Sequence, residues 1–196
     1  MKKKVDPVNQ VNVDKLLENA NTRTKNRIAD VLGALSDIKW NSVSFTIPEE
    51  PDPSHRPRRV GAYRMYVPGA AKHQKFFDKF VRPKLNGLFI TTPCRIYVKI
   101  FCKTPKSFSD AQRILAEMGV IRPWVNNGDV DNFLKSVMDQ IQPNEKRGNI
   151  GIMSNDFLII ESHAEEYYSI DPRYEVTIDY MANIPEDIKG IMRIER

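Results

Sequence analysis

A chain of 196 residues, 41% hydrophobic and 28% charged, with a net charge of +5, has the length and composition of one soluble globular domain with room for an appendage. No run approaches the roughly eighteen apolar residues a membrane span requires, and the basic start Met1–Lys4 leads into a polar stretch, Val5–Asn21, rather than the apolar core of a signal peptide. Membrane proteins and secreted proteins are therefore excluded as expectations, and the chain reads as cytoplasmic.

In Arg23–Ile38 the apolar residues Ile28, Val31, Leu32, Leu35 and Ile38 recur at helical spacing, and Asp14 or Asn12 could cap a shorter helix through Leu16 and Leu17. Residues 1–40 thus read as a helical N-terminal extension whose stripe needs a cover. Val43–Ile47 alternates with period two and runs into a proline-rich loop, Pro48–Pro57. Tyr63–Val67 suits a short strand, and Ala70–Leu85 a helix with Phe76, Phe77, Phe80 and Val81 inward. Cys94–Cys102 is a strong strand, with Ile96, Val98 and Ile100 on one face. Its two cysteines would stand about 26 Å apart at about 3.3 Å per residue, too far to pair. With no other cysteine in the chain, neither a disulfide framework nor a cysteine-rich zinc site is expected, in keeping with a reducing compartment.

Asp110–Met118 has helix-like spacing ending near Gly119. Beyond Asp131, the residues Phe133, Leu134, Val137, Met138 and Ile141 form an apolar helical face, followed by a loop from Gln142 to Asn149. Phe157–Tyr168 and Tyr174–Tyr180 read as two strands with Asp171-Pro172 between them, a terminal hairpin, and a polar tail covers 182–196.

Charge is unevenly spread. Between His55 and Lys106 stand thirteen Lys and Arg residues against the single acid Asp78, so this segment carries +12 of a +5 chain and the remainder carries −7. Such a segment suits a polyanion, since each neutralised phosphate releases counterions. Within it Arg56, Arg58, Arg59, Arg64, Lys72 and Lys75 are the candidate nucleic-acid contacts, with Tyr63 and Tyr66 placed to stack on unpaired bases. His55, His73 and His163 are too widely separated to suggest a zinc site, and no glycine-rich phosphate loop occurs.

The chemistry is concentrated in Asp129-Val130-Asp131-Asn132-Phe133-Leu134-Lys135-Ser136-Val137-Met138-Asp139. If Asp129 to Asp131 is extended, both carboxylates share one side. The helix then carries Asp131, Lys135 and Asp139 at i, i+4 and i+8, and Asp156 opens a strand from which it could return to the helix start. Hard oxygen ligands of this kind suit magnesium or manganese, which activate water and stabilise a departing phosphodiester oxygen, while Lys135 adds a cation near the phosphate. The plainer alternative is that the aspartates cap a helix and that Asp131 and Lys135 form an exposed ion pair.

This segment, with Asn155-Asp156-Phe157-Leu158-Ile159-Ile160-Glu161, resembles the signature of the RusA-type Holliday junction resolvases: D-x-D-N-x-x-K-x-x-x-D, a loop, then D-D and a strand. The order of elements agrees over 41–181. The resemblance implies an α+β nuclease domain, a small mixed β-sheet with helices packed on it. It implies Asp129, Asp131 and Asp156 as metal-binding carboxylates, Lys135 as the essential lysine, and Asn132 and Asp139 in supporting roles. It also implies a homodimer that makes paired nicks in four-way DNA junctions. Gly128 stands where the family often has a basic residue or proline, Asn155 replaces the first of the paired acids, and the loop before Asp156 is longer than usual. Outside the resemblance, the basic segment alone is compatible with a noncatalytic binder of branched or single-stranded nucleic acid, and the acidic motif with a nuclease preferring flaps or forks.

Overall fold

The computed structural model describes residues 10–54, 58–60, 64–66, 69–123 and 128–184, with side chains described outside 10–11, 58–60 and 64–66. The chain divides into two compact units, one comprising 1–41 and 181–196 and the other 42–180.

In the first unit, α1 (Gln10–Asn19) and α2 (Thr22–Ser36) are separate helices. Asn12 and Asp14 lie inside α1 rather than capping it; the side-chain cap is Asn21, whose Oδ1 accepts from the Thr24 amide at the start of α2. The expected stripe is only partly covered. Val31, Leu35 and Ile38 pack with Met181 and Ile184, whereas Ile28 and Leu32 stay exposed.

The second unit is built on a four-stranded sheet. Its strands are β1 (Trp40–Ile47), β4 (Cys94–Lys103), β5 (Ile159–Ser169) and β6 (Arg173–Met181), in the order β1-β6-β4-β5. β2 (Arg58–Val60) and β3 (Arg64–Tyr66) form a small antiparallel ribbon of their own. β4 is one of the two inner strands, flanked by β6 and β5, and it alternates strictly. Cys94, Ile96, Val98, Ile100 and Cys102 are all buried on one face, each aliphatic residue stabilising the fold by about 1.5–3 kcal/mol.

The expected terminal hairpin is not found. β5 runs parallel to β4 and β6 runs antiparallel to it on the other side, so β4 separates them. The two strands joined by a short turn each bond to one flank of β4, whose inward face is buried along its whole length. β5 also starts later than expected, because Asp156–Leu158 forms a single 3₁₀ turn.

A parallel partner requires a crossover, and here it contains two helices: α4 (Asp110–Glu117), which begins with a Ser109/Gln112 capping box, and α5 (Val130–Ile141). α5 buries Phe133, Val137 and Ile141 in the same core as Ile96 and Ile100. α4 is far less embedded: Ala116 is buried while Ile114, Leu115 and Met118 face outward. The helix expected over 70–85 survives only as α3 (Ala70–Phe76). It continues as a π turn, Phe77–Val81, and a 3₁₀ turn, Arg82–Leu85, where Pro83 cannot donate an amide to a helical ladder. Phe77 and Val81 point inward as expected, but the change of winding leaves Phe80 45% exposed.

Both cysteines are free and buried, and burial pushes their thiols up, to about 11 for Cys94 and about 12 for Cys102. Among the described residues no helix is long and apolar enough to cross a membrane.

Candidate active site

The motif helix α5 begins at a turn that the sequence explains. Gly128 has φ +95°, and a Cβ there would stand 3.1 Å from Pro53 Cγ and 3.3 Å from the Phe133 ring. Both the positive φ and the crowding demand glycine. Asp129 follows as the N-cap, extended at φ −86° and ψ 139°.

Its carboxylate nevertheless makes no capping hydrogen bond. Only the main-chain carbonyl of Asp129 serves the helix, accepting from the Asn132 and Phe133 amides, while its Oδ2 lies 3.5 Å from the Asn132 side-chain amide. An N-cap aspartate normally spends its carboxylate on the N2 or N3 amide; this one keeps it exposed. Because Val130 and Asp131 are already helical, the two aspartates do not share one side of an extended segment, and this expectation is corrected. The helix starts earlier, at Val130.

Along α5, Asp131 and Lys135 are exposed and Asp139 is half-buried. The Asp139 carboxyl is held above its ordinary value, chiefly by burial and also by the charge of Asp156, with Lys135 and Arg147 pulling the other way. Asp156 is therefore within electrostatic reach of Asp139 and Asp139 of Lys135. At the other end, Glu166 is raised by burial and by the charge of Asp129. Asp129 and Asp139 are ten residues apart, about 15 Å along the helix axis, so Glu166 lies by the start of α5 and Asp139 toward its end. Among the described residues no three His, Cys, Asp or Glu side chains come close enough together to hold a metal ion. A closed three-aspartate cage is thus absent from this arrangement.

The donors suit a hard divalent cation all the same. They are carboxylates, Asp129 is released from capping, and Asp139 and Glu166 are held above their ordinary values by burial and by the charges of Asp156 and Asp129 respectively. Magnesium in particular binds through one or two carboxylates and completes its shell with water and phosphate oxygens, so a preformed cage is not required.

Asp156 is delivered by a loop that is well pinned. Asp78 accepts from the Ile150 and Gly151 amides at 3.0 and 3.3 Å, and Ile152 donates to the Ile141 carbonyl at 2.8 Å. Ile90 then forms a bridge with Met153, with Ile152 and Met153 fully buried. The sequence shows a loop over Gln142–Asn149 but not this pinning of 150–153, because the partners, Asp78 and Ile90, are distant in the chain.

Glu166 escaped the sequence reading, although a signal existed. Ala164, Glu166 and Tyr168 occupy alternate positions of β5 paired with the buried Val98, Ile100 and Cys102. A carboxylate on the inward side of such an alternation is costly unless it has a role or a counter-charge. Of the candidate DNA contacts, Arg56 and the side chains of Arg58, Arg59 and Arg64 lie outside the described residues. Lys72 and Lys75 are exposed on α3; Lys72 is 3.9 Å from Glu49, and Lys75 lines a shallow surface pocket with Lys79 and Arg147, two cations not singled out from the sequence.

The raised Asp139 has a consequence for stability. A carboxyl whose folded pKa lies above its unfolded value weakens the fold once pH exceeds the unfolded value, and the whole cost is present above the folded value. Asp139→Asn should therefore melt at a higher temperature than the parent at neutral pH, the gap closing as pH falls below about 4, the unperturbed aspartate range. Differential scanning fluorimetry across pH 3.5–8 would check this; a gap that widened in acid would refute the assignment.

Residues 48–179 match the family model for endodeoxyribonuclease RusA. No individual curated protein matches the chain at a significant level. The matched span includes β4, α5, Asp156 and β5, it exceeds half of the chain, and the mixed α+β architecture agrees with it, so the chain belongs to the RusA family of endodeoxyribonucleases.

Proposed function

We propose that this protein is a magnesium-dependent endodeoxyribonuclease that resolves four-way DNA junctions by paired nicks, working as a homodimer with one site per protomer. Asp129, Asp131 and Asp156 would hold the cation, magnesium or else manganese, in an open site. When bound, such an ion lowers the pKa of a water molecule and screens the charge that builds on the phosphate. Lys135, one turn beyond Asp131, places an ammonium beside the scissile phosphate and stabilises that charge in the transition state. Asn132 steadies the Asp129 carboxylate, and Asp139 keeps Lys135 oriented. Lys72 and Lys75, with Arg56, Arg58, Arg59 and Arg64, contact the DNA backbone and set the protein's position on the junction. The nuclease domain spans 41–181, with 1–40 as a helical extension and 182–196 as a tail.

The observation that carries this reading is the N-cap aspartate without a capping bond. Aspartates serving only as caps, as a noncatalytic DNA binder would have them, would be bonded to the helix amides. Incubating the protein with end-labelled four-way junction and with linear duplex, with and without magnesium, tests it. Symmetrical nicks in the junction only when magnesium is present are expected; binding without cleavage at any divalent metal would overturn it, and preferential cutting of flaps would redirect the substrate assignment.

A further inference from the structure

His73 is a buried histidine, 7% exposed, that takes no part in the chemistry above. It sits on α3 with both ring nitrogens engaged: Nδ1 is 2.8 Å from Glu49 Oε2 and Nε2 is 3.2 Å from Asp52 Oδ2. Both carboxylates belong to the loop that follows β1. That loop is what the start of the motif helix rests on. The Ser54 amide donates to the Asn132 carbonyl at 2.9 Å, Pro53 closes over Gly128, and the Asp52 amide donates to the Tyr174 hydroxyl at 3.0 Å. The neighbouring Gln74 donates from its side chain to the Asp139 carbonyl at 2.8 Å and accepts from Arg147. Of two consecutive side chains of α3, Gln74 thus reaches the end of α5 directly, and His73 reaches its start through the loop.

We infer that His73 is a positioning residue for the nuclease reaction: by tying Glu49 and Asp52 together, it holds the 49–54 loop against the first turn of α5 and so sets where Asp129 and Asp131 stand. The 49–54 loop, interrupted by Pro51 and Pro53, has no regular ladder to hold it, and the His73 contacts cross from a helix to that loop. Gly69 fits the same purpose. It has φ +80°, and a Cβ there would come 3.1 Å from His73 Nε2 and 3.3 Å from Asp52 Oδ2, intruding on that contact.

Only the imidazolium donates from both nitrogens, and the hydrogen bond to Glu49 raises the His73 pKa above 6.5, against the lowering by burial. A histidine with a raised folded pKa contributes stability that is complete below its unfolded value and lost as pH rises through the folded one. The charged and titratable groups around it are Glu49 and Asp52 from the loop, Lys72 on its own helix, Asp139 across a small cavity on α5, and Tyr174 from β6.

The role assigned to His73 rests on the endonuclease reading, but its test need not. In His73→Gln, hydrogen–deuterium exchange of the full-length protein should quicken about tenfold at the Asp52 and Ser54 amides and at the 129–133 amides. The single-turnover nicking rate should fall about tenfold or more, with junction affinity in EDTA within about twofold of the parent, since geometry rather than DNA contact is lost. Protection of the Ser54 amide in the parent should decline as pH rises through the His73 pKa measured by NMR and should be independent of that ionisation in the variant. Unchanged exchange at 129–133 in a folded variant would overturn the inference. If the variant does not fold, the parent's protection profile decides, a profile insensitive to His73 ionisation being the overturning result. A parent that never nicks DNA, yet shows these exchange changes, would sink the nuclease reading and leave the brace standing.

Discussion

Asp129→Asn and Asp131→Asn proteins should bind a labelled four-way junction as tightly as the parent, yet nick it at least about 10²–10³-fold more slowly at saturating magnesium. Both side chains are exposed at the start of α5, and neither is needed for the cap or the core, so the amides cost little stability. Asp156→Asn should behave likewise: its carboxylate is exposed, and the turn it begins is held by Asn155, whose Oδ1 accepts from the Phe157 amide. Gel-shift binding in EDTA, paired with single-turnover cleavage, separates the two properties. Loss of binding in parallel with cleavage would mean that the acids shape the DNA surface; undiminished cleavage in any one of the three would remove that residue from the site.

The second large effect falls on Lys135. Lys135→Met should lower the nicking rate by about 10²-fold or more while leaving junction affinity nearly unchanged, because one ammonium among many cations adds little to ground-state binding but stabilises charge that exists only in the transition state. Lys135→Arg should recover part of the rate. It retains the charge but changes the shape of the donor, and a planar guanidinium does not reproduce a point charge. A second readout follows from the electrostatics. Lys135 lowers the Asp139 carboxyl's proton affinity, so removing its charge should move the NMR-observed Asp139 titration upward. If Lys135→Met left both the rate and that titration unchanged, the lysine would be an ordinary solvated side chain.

Several features were legible without coordinates. The alternation of Ile96, Val98 and Ile100 located the strand at the middle of the sheet, and the period of Phe133, Val137 and Ile141 located the inward face of the motif helix, because both patterns reflect burial against a single neighbour. The acidic motif was visible as a string of residues and led to the RusA resemblance. What those residues do to one another was not visible. Whether Asp129 would cap its helix depended on a turn shaped by Pro53 and Phe133, far apart in sequence. The inward carboxylate Glu166 acquired meaning only when β5 was set parallel to β4, with Asp129 near it.

The amino-acid sequence by itself determined which segments are apolar on one face, where the aspartates and the lysine fall on the motif helix, and the family to which that motif belongs. Tertiary structure alone decided that β4 separates β5 from β6, that Asp156 comes within electrostatic reach of Asp139 and Asp129 of Glu166, and that a buried histidine braces the loop after β1. The division has a physical cause. Periodicity records the contact of a residue with its own element's buried face, which is local, whereas strand order and charge proximity depend on which distant surfaces bury each other most completely, a competition among all elements at once.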